Sequence, residues 1–147
     1  MSEEIDIEYY VSDKICLNKS EIHGLGVFAK QDIKEQEKIE VCKLLRLGWR
    51  MAYQHDPVVK DYCWGNMSCA CEQCKIHGPT SYLALGYGSI YNHSDNPNSN
   101  ISFDYKNQVF VVVASRDISN GEEIFVTYGD SYWKYRSHYL TKQSSTV

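Results

Sequence analysis

The chain has 147 residues, 43% of them apolar and 13% aromatic, which suits one globular domain with a real core. Its formal net charge is -4 and it shows no Lys/Arg run, so direct nucleic-acid binding is disfavoured. A membrane span is disfavoured too, because no apolar stretch approaches the ~20 residues needed to cross a bilayer.

In chain order, the acidic start Met1-Ser2-Glu3-Glu4-Ile5-Asp6 lacks the apolar region of a signal peptide. An intracellular protein is expected, cytoplasmic or nuclear, with its six cysteines as thiols or metal ligands rather than disulfides. Residues 1–11 and 141–147 read as flexible ends around one domain at 12–140, with a Cys-rich insertion at 63–80. Lys14–Leu17 reads as a strand, and Val27–Lys30 as another, entered through Gly24-Leu25-Gly26. Lys38–Leu47 is apolar at Ile39, Val41, Leu44, Leu45 and Leu47 and predicts a longer strand; Gly48–Pro57 is irregular, with room for a short helix. Ile101, Phe103 and Tyr105 alternate with polar residues, Lys106-Asn107 turns the chain, and Val109–Ala114 runs back as a hairpin. Asn120-Gly121 is a turn before a strand at Glu123–Tyr128, and Ser131–Leu140 fits a short closing helix. Short strands, few helices and many turns predict a mostly-β domain.

Three segments carry chemistry. The first is His23-Gly24-Leu25-Gly26-Val27-Phe28-Ala29, whose glycines serve either a tight turn or the approach of main chain to a ligand. The second is Gly86-Tyr87-Gly88-Ser89-Ile90-Tyr91-Asn92-His93-Ser94, an amide, an imidazole and a hydroxyl in succession before a turn. Read alone it is a capped loop with a structural histidine. The third is Asn120-Gly121-Glu122-Glu123-Ile124-Phe125-Val126-Thr127-Tyr128-Gly129-Asp130-Ser131-Tyr132-Trp133, which alone is a strand between two turns.

Together, in this order and spacing, the three resemble the SET-domain protein-lysine methyltransferases, above all the small stand-alone SET proteins of viruses and bacteria. The likeness covers about residues 12–135. It implies a β-clip of small twisted sheets with short helices, and a knot-like crossing where the C-terminal segment threads beneath a loop next to Asn92-His93-Ser94. It implies S-adenosylmethionine as cofactor, held by the backbone of Gly24, Leu25 and Gly26 and by Asn92 and His93, with Trp133 stacked on adenine. Tyr128 matches the family's catalytic tyrosine. Tyr62 matches a tyrosine of the lysine channel, and Tyr132 falls among the residues that close the site. Val126 stands where some members carry a bulky aromatic, which leaves room for more than one methyl.

Cys69-Ala70-Cys71-Glu72-Gln73-Cys74-Lys75-Ile76-His77 offers three thiols and an imidazole within nine residues. Two readings stay open: a tetrahedral zinc site of Cys69, Cys71, Cys74 and His77, with Cys63 as alternative ligand, or a loop of reduced cysteines. Many SET enzymes carry zinc clusters before the domain or after its last strand, but this chain has no cysteine after Cys74. Cys16 and Cys42 lie in strand-like runs and are expected in the core. The expected partner is a protein with a target lysine, a histone or another basic protein, which an acidic chain would attract. A SET protein without flanking domains can also complete its surface as a homodimer. The competing function is a catalytically silent SET-fold module that binds peptide or cofactor. That reading predicts a lost tyrosine or a blocked cofactor loop, and the sequence shows neither.

Overall fold

The computed structural model describes residues 6–47, 58–59, 62–65, 69–77 and 80–129. In chain order the elements are β1 (Tyr10–Val11), β2 (Ile15–Lys19), β3 (Leu25–Ala29), β4 (Lys38–Arg46), β5 (Cys63–Gly65), α1 (Glu72–His77), β6 (Ser81–Ala84), β7 (Asn92–His93), β8 (Ser99–Asp104), β9 (Val109–Ala114) and β10 (Glu123–Val126). The domain is mostly β, as expected.

The described strands form two sheets. The larger runs β5-β6-β4-β9-β8, and β1 adds to β4. Strand β4 is its spine. On one edge β9 pairs with it from Lys38 to Lys43; on the other, β6 takes Leu44–Arg46. That leaves Glu40 and Val41 open on the second edge, and Tyr10 and Val11 pair there. Sequence placed these two residues in a flexible end; unsatisfied backbone groups on β4 recruit them instead. The β8–β9 hairpin follows the expected alternation, with Asp104 opposite Val109. Its turn is fastened by the Asp104 carboxylate, which accepts the Asn107 backbone N–H at 3.0 Å and the Asn107 side-chain amide at 2.8 Å.

The smaller sheet runs β2-β3-β10-β7. Strand β10 is antiparallel to β3 and parallel to β7, which sets the Gly26 strand and the Asn92–His93 strand on either side of the segment leading to Tyr128. Asn98 and Ser99 add side-chain bonds to the β10 backbone. Asn98 Nδ2 donates to the Glu123 carbonyl at 2.8 Å, Asn98 Oδ1 accepts the Phe125 N–H at 2.8 Å, and Ser99 Oγ donates to the Phe125 carbonyl at 2.7 Å. The 92–99 segment therefore grips β10 along its length. The threading expected of the following chain, and the closing helix at 131–140, lie outside the described residues.

One core joins the two sheets. Val27, Ile39, Leu44, Tyr91, Phe110, Val112, Ile124 and Val126 are all fully buried. Each such apolar side chain contributes roughly 1.5–3 kcal/mol on burial. Ile33 and Ile118 exchange backbone hydrogen bonds at 2.8 Å, which ties the β3–β4 connection to the β9–β10 connection and fixes the angle at which β10 enters. Cys42 is buried as expected, while Cys16 is only half-buried.

Candidate active site

The first motif is the turn and return strand of the β2–β3 hairpin. Ser20 accepts the Ile22 N–H on its Oγ at 3.0 Å, and its own N–H donates to the Gly24 carbonyl at 2.8 Å. Gly24 closes this turn at φ +49, in the left-handed region that favours glycine. Gly26 serves a different need. A Cβ there would collide with the Glu123 carboxylate and lie 3.1 Å from Asn92 Nδ2. Glycine is required at this point because two side chains from distant parts of the chain fill the space beside its backbone.

Asn92, buried on β7, is the hub. Its Nδ2 donates to Glu123 Oε2 at 2.8 Å, to the Leu25 carbonyl at 3.1 Å and to the His23 carbonyl at 3.2 Å. Ser20 Oγ donates to Glu123 Oε1 at 2.7 Å. Three acceptors thus face an amide that has only two hydrogens, so acceptor capacity is left over. Glu123 holds both the turn and the asparagine, a role no motif in the sequence assigns to it. Its only local signal was its place in the Gly121-Glu122-Glu123 run.

His93 supports the third motif. Its Nδ1 accepts the backbone N–H of Tyr128 at 3.0 Å, and its Nε2 lies 2.9 Å from Asp95 Oδ1. A backbone N–H can only donate, so Nδ1 holds a lone pair and the ring proton sits on Nε2, facing Asp95.

The Tyr128 hydroxyl donates to the Tyr91 carbonyl at 2.6 Å. Its ring meets Trp64 edge-on at 5.4 Å and 82°, and lies 5.2 Å from the His93 ring. Trp64 packs in turn on Phe103 at 5.5 Å and Phe110 at 5.7 Å. An apolar aromatic wall therefore backs the Tyr128 ring. Within it the Trp64 indole Nε1 is buried with no partner among the described residues.

Tyr62 is 47% exposed, and its carbonyl accepts Ser89 Oγ at 3.0 Å. Among the described residues no ring contact joins it to Tyr128; Trp64, two positions on, packs there. Trp64 lies on the three-residue β5, too short to show a period, so no pattern in the sequence singled it out. Val126 is fully buried in the core, in register with His93. Leu25 is exposed at the mouth of the hairpin turn. Tyr132 and Trp133 lie outside the described residues.

A second cluster lies in the insertion. The sulfur atoms of Cys69, Cys71 and Cys74 fall within 4.8 Å of one another. The Lys75 N–H bonds the Cys71 carbonyl at 3.1 Å as α1 begins, and this first turn swings Cys74 back toward the other two thiols. Cys74 Sγ lies 3.5 Å from Thr80 Oγ1, and that hydroxyl, with the neighbouring thiols, pulls the Cys74 thiol down to about 7. His77 ends α1; its side chain lies outside the described residues. Cys63, on β5, points its thiol at the Val59 carbonyl at 3.2 Å and is not part of the triad.

Residues 24–129 match the SET domain family model. The chain belongs to the SET-domain family of protein-lysine methyltransferases. It is 30% identical over 119 residues to a Schizosaccharomyces pombe protein named histone-lysine N-methyltransferase, H3 lysine-37 specific, covering 80% of this chain and 74% of that one. A solved structure of a Plasmodium falciparum protein assigned as a histone methyltransferase superposes with a TM-score of 0.61 at 32% identity, covering 84% of this chain and 99% of the other. The SET match begins at Gly24 and ends at Gly129, so it spans the hairpin turn, the Asn92–His93 strand and Tyr128. No described helix of this SET domain is long and apolar enough to cross a membrane.

Proposed function

We propose that this SET domain methylates a lysine of a histone or similarly basic protein, with S-adenosylmethionine as donor at the Gly24–Gly26 turn and Tyr128 at the reacting centre. The observation that carries the reading is the β3-β10-β7 arrangement, in which the strand leaving the glycine turn and the Asn92–His93 strand flank the strand that leads into Tyr128. The residues fit the donor's amino-acid end. The His23 and Leu25 carbonyls and the Glu123 carboxylate outnumber the hydrogens of Asn92 Nδ2, so an ammonium group finds an acceptor there. When bound, S-adenosylmethionine supplies a methyl group on a cationic sulfonium.

The protein's own task is to present a neutral amine in line with that methyl. Free lysine titrates near ~10.4. The aromatic wall of Trp64, Phe103 and Phe110 disfavours the ammonium form by desolvation and needs no strong base beside it. Tyr128, with its hydroxyl on the Tyr91 carbonyl and its backbone on His93, is fixed from both ends. Oxygens so placed orient a polarised methyl through C–H···O contacts. Alignment of this kind lowers a barrier by several kcal/mol when the reacting atoms are held about 3–3.5 Å apart. Tyr62 and Tyr132 belong to the lysine channel in this reading, Trp133 stacks on adenine, and the small Val126 leaves room for more than one methyl.

The Cys69, Cys71 and Cys74 sulfurs suit zinc, with His77 as fourth ligand. Zinc there would stiffen the insertion whose strand carries Trp64; it takes no part in methyl transfer. A histone substrate places the protein in a nucleus for at least part of its life, and the net charge of -4 favours encounter with a basic tail. The test is methyl-labelled S-adenosylmethionine with a panel of histones and other basic proteins, beside Asn92→Ala and Tyr128→Phe. Label on lysine that needs both residues supports the reading; absence of label together with absence of donor binding by calorimetry defeats it and leaves the silent module.

A further inference from the structure

Glu40 is an acidic residue that the chemistry above does not use. It sits on β4 with 0% exposure, between Ile39 and Val41. An ionisable group in such a place costs several kcal/mol unless it is well bonded, and an apolar residue would serve stability as well or better. Both of its oxygens are committed. Oε2 accepts the Tyr87 backbone N–H at 2.9 Å, and Oε1 accepts the Tyr91 hydroxyl at 2.8 Å. Gly86, at φ +88, leaves open the space its Cβ would contest with Glu40 Oε2. The local backbone is thus shaped around this carboxyl group.

Tyr91 is fully buried, so its ring is fixed by packing as well as by that bond. Its other end faces the active site, where its carbonyl takes the Tyr128 hydroxyl at 2.6 Å. We propose that Glu40 is a positioning residue for methyl transfer: it anchors the Tyr91 hydroxyl, Tyr91 holds its carbonyl in place, and that carbonyl aims the hydroxyl of Tyr128. This rests on the reading of Tyr128 as the reacting-centre tyrosine. Asn92, His23, Leu25 and Glu123, which serve the donor site, share no bond with Glu40. Glu40 therefore governs turnover and not donor affinity.

The test compares Glu40→Gln, Tyr91→Phe, their combination and Tyr128→Phe. Two readouts are taken: turnover on unfractionated histones, and the ring-carbon NMR signal next to the Tyr128 hydroxyl in tyrosine-labelled protein, assigned with Tyr128→Phe. Glu40→Gln and Tyr91→Phe are each expected to lower kcat about 10-fold, the scale of a small misplacement at a reacting centre. S-adenosylmethionine binds them as it binds wild type, and the double variant is no slower than the slower single one, because both act through one chain of contacts. The Tyr128 signal shifts in both single variants even without substrate. An unmoved Tyr128 signal in both overturns the proposal, as does a kcat loss matched by an equal loss of donor affinity, or additive losses in the double variant. Full turnover in Tyr128→Phe defeats the Tyr128 reading and the proposal with it, and that control alone reports it.

Discussion

The Tyr128 backbone N–H is held by Nδ1 of His93 at 3.0 Å, across the parallel pair β7–β10. The bond hangs the tyrosine segment on the histidine and fixes the imidazole with its proton on Nε2. Replacing His93 with Ala leaves that N–H without its acceptor beside an aromatic wall, a cost of about 1–3 kcal/mol. A lower urea midpoint and reduced turnover are expected together in His93→Ala.

Tyr128→Phe keeps the ring against Trp64 and removes only the hydroxyl bonded to Tyr91. Stability should change little, because the net worth of one neutral hydrogen bond is about 0.5–1.5 kcal/mol. Turnover should fall on the order of 100-fold, the usual effect of removing one preorganised polar group from a reacting centre. Steady-state kinetics beside a chemical denaturation curve separate the two.

Gly26→Ala inserts a methyl where the Glu123 carboxylate and Asn92 amide now lie. Glu123 is pinned by Ser20 and Asn92, so it cannot swing away without breaking both bonds. Overpacking of this sort costs about 1–3 kcal/mol. Calorimetry should show a marked loss of S-adenosylmethionine binding, and wild-type affinity would disprove the assignment of this turn.

Burial raises the Glu40 carboxyl above its ordinary 4.5, against the opposing pull of the Tyr87 N–H and the Tyr91 hydroxyl. The folded state then holds the Glu40 proton more tightly than the unfolded chain does. Its favourable contribution is complete below pH 4.5 and is lost as pH rises through the raised folded value. Thermal melts of wild type and Glu40→Gln across this range should differ in slope, wild type losing ground as pH increases. On the same strand, burial and then the Glu40 charge push the Cys42 thiol up to about 12, so iodoacetamide at neutral pH should leave Cys42 unmodified in the folded protein.

Zinc is expected at about one ion per chain by metal analysis, bound through the Cys69–Cys71–Cys74 triad. Its removal by chelator should loosen the insertion first, seen as faster hydrogen exchange in β5 and β6 while β8 and β9 stay protected. Protein free of zinc after purification with zinc present would leave the reduced-thiol reading.

Strands long enough to show a period or a bounding turn are legible from the residues alone. β2, β3, β4, β8, β9 and β10 follow from alternation, β-branched runs and the turns at Lys106-Asn107 and Asn120-Gly121. The SET-domain family was legible too, because its three motifs, at Gly24–Gly26, Asn92–Ser94 and Gly121–Gly129, occur together and in order in one short chain. Strands β5 and β7, of 3 and 2 residues, are too short for any pattern, and β1 exists only because β4 has an open edge to fill. Tertiary structure alone decided the contacts that make the site. Leu25 and Asn92 are 67 residues apart and Asn92 and Glu123 are 31 apart, yet one amide bonds both. No local propensity encodes such a meeting, since it comes from how β10 is laid between β3 and β7. The same holds for Glu40, a lone acid in an apolar strand by sequence, which becomes the anchor of Tyr91 only once the two sheets close over it.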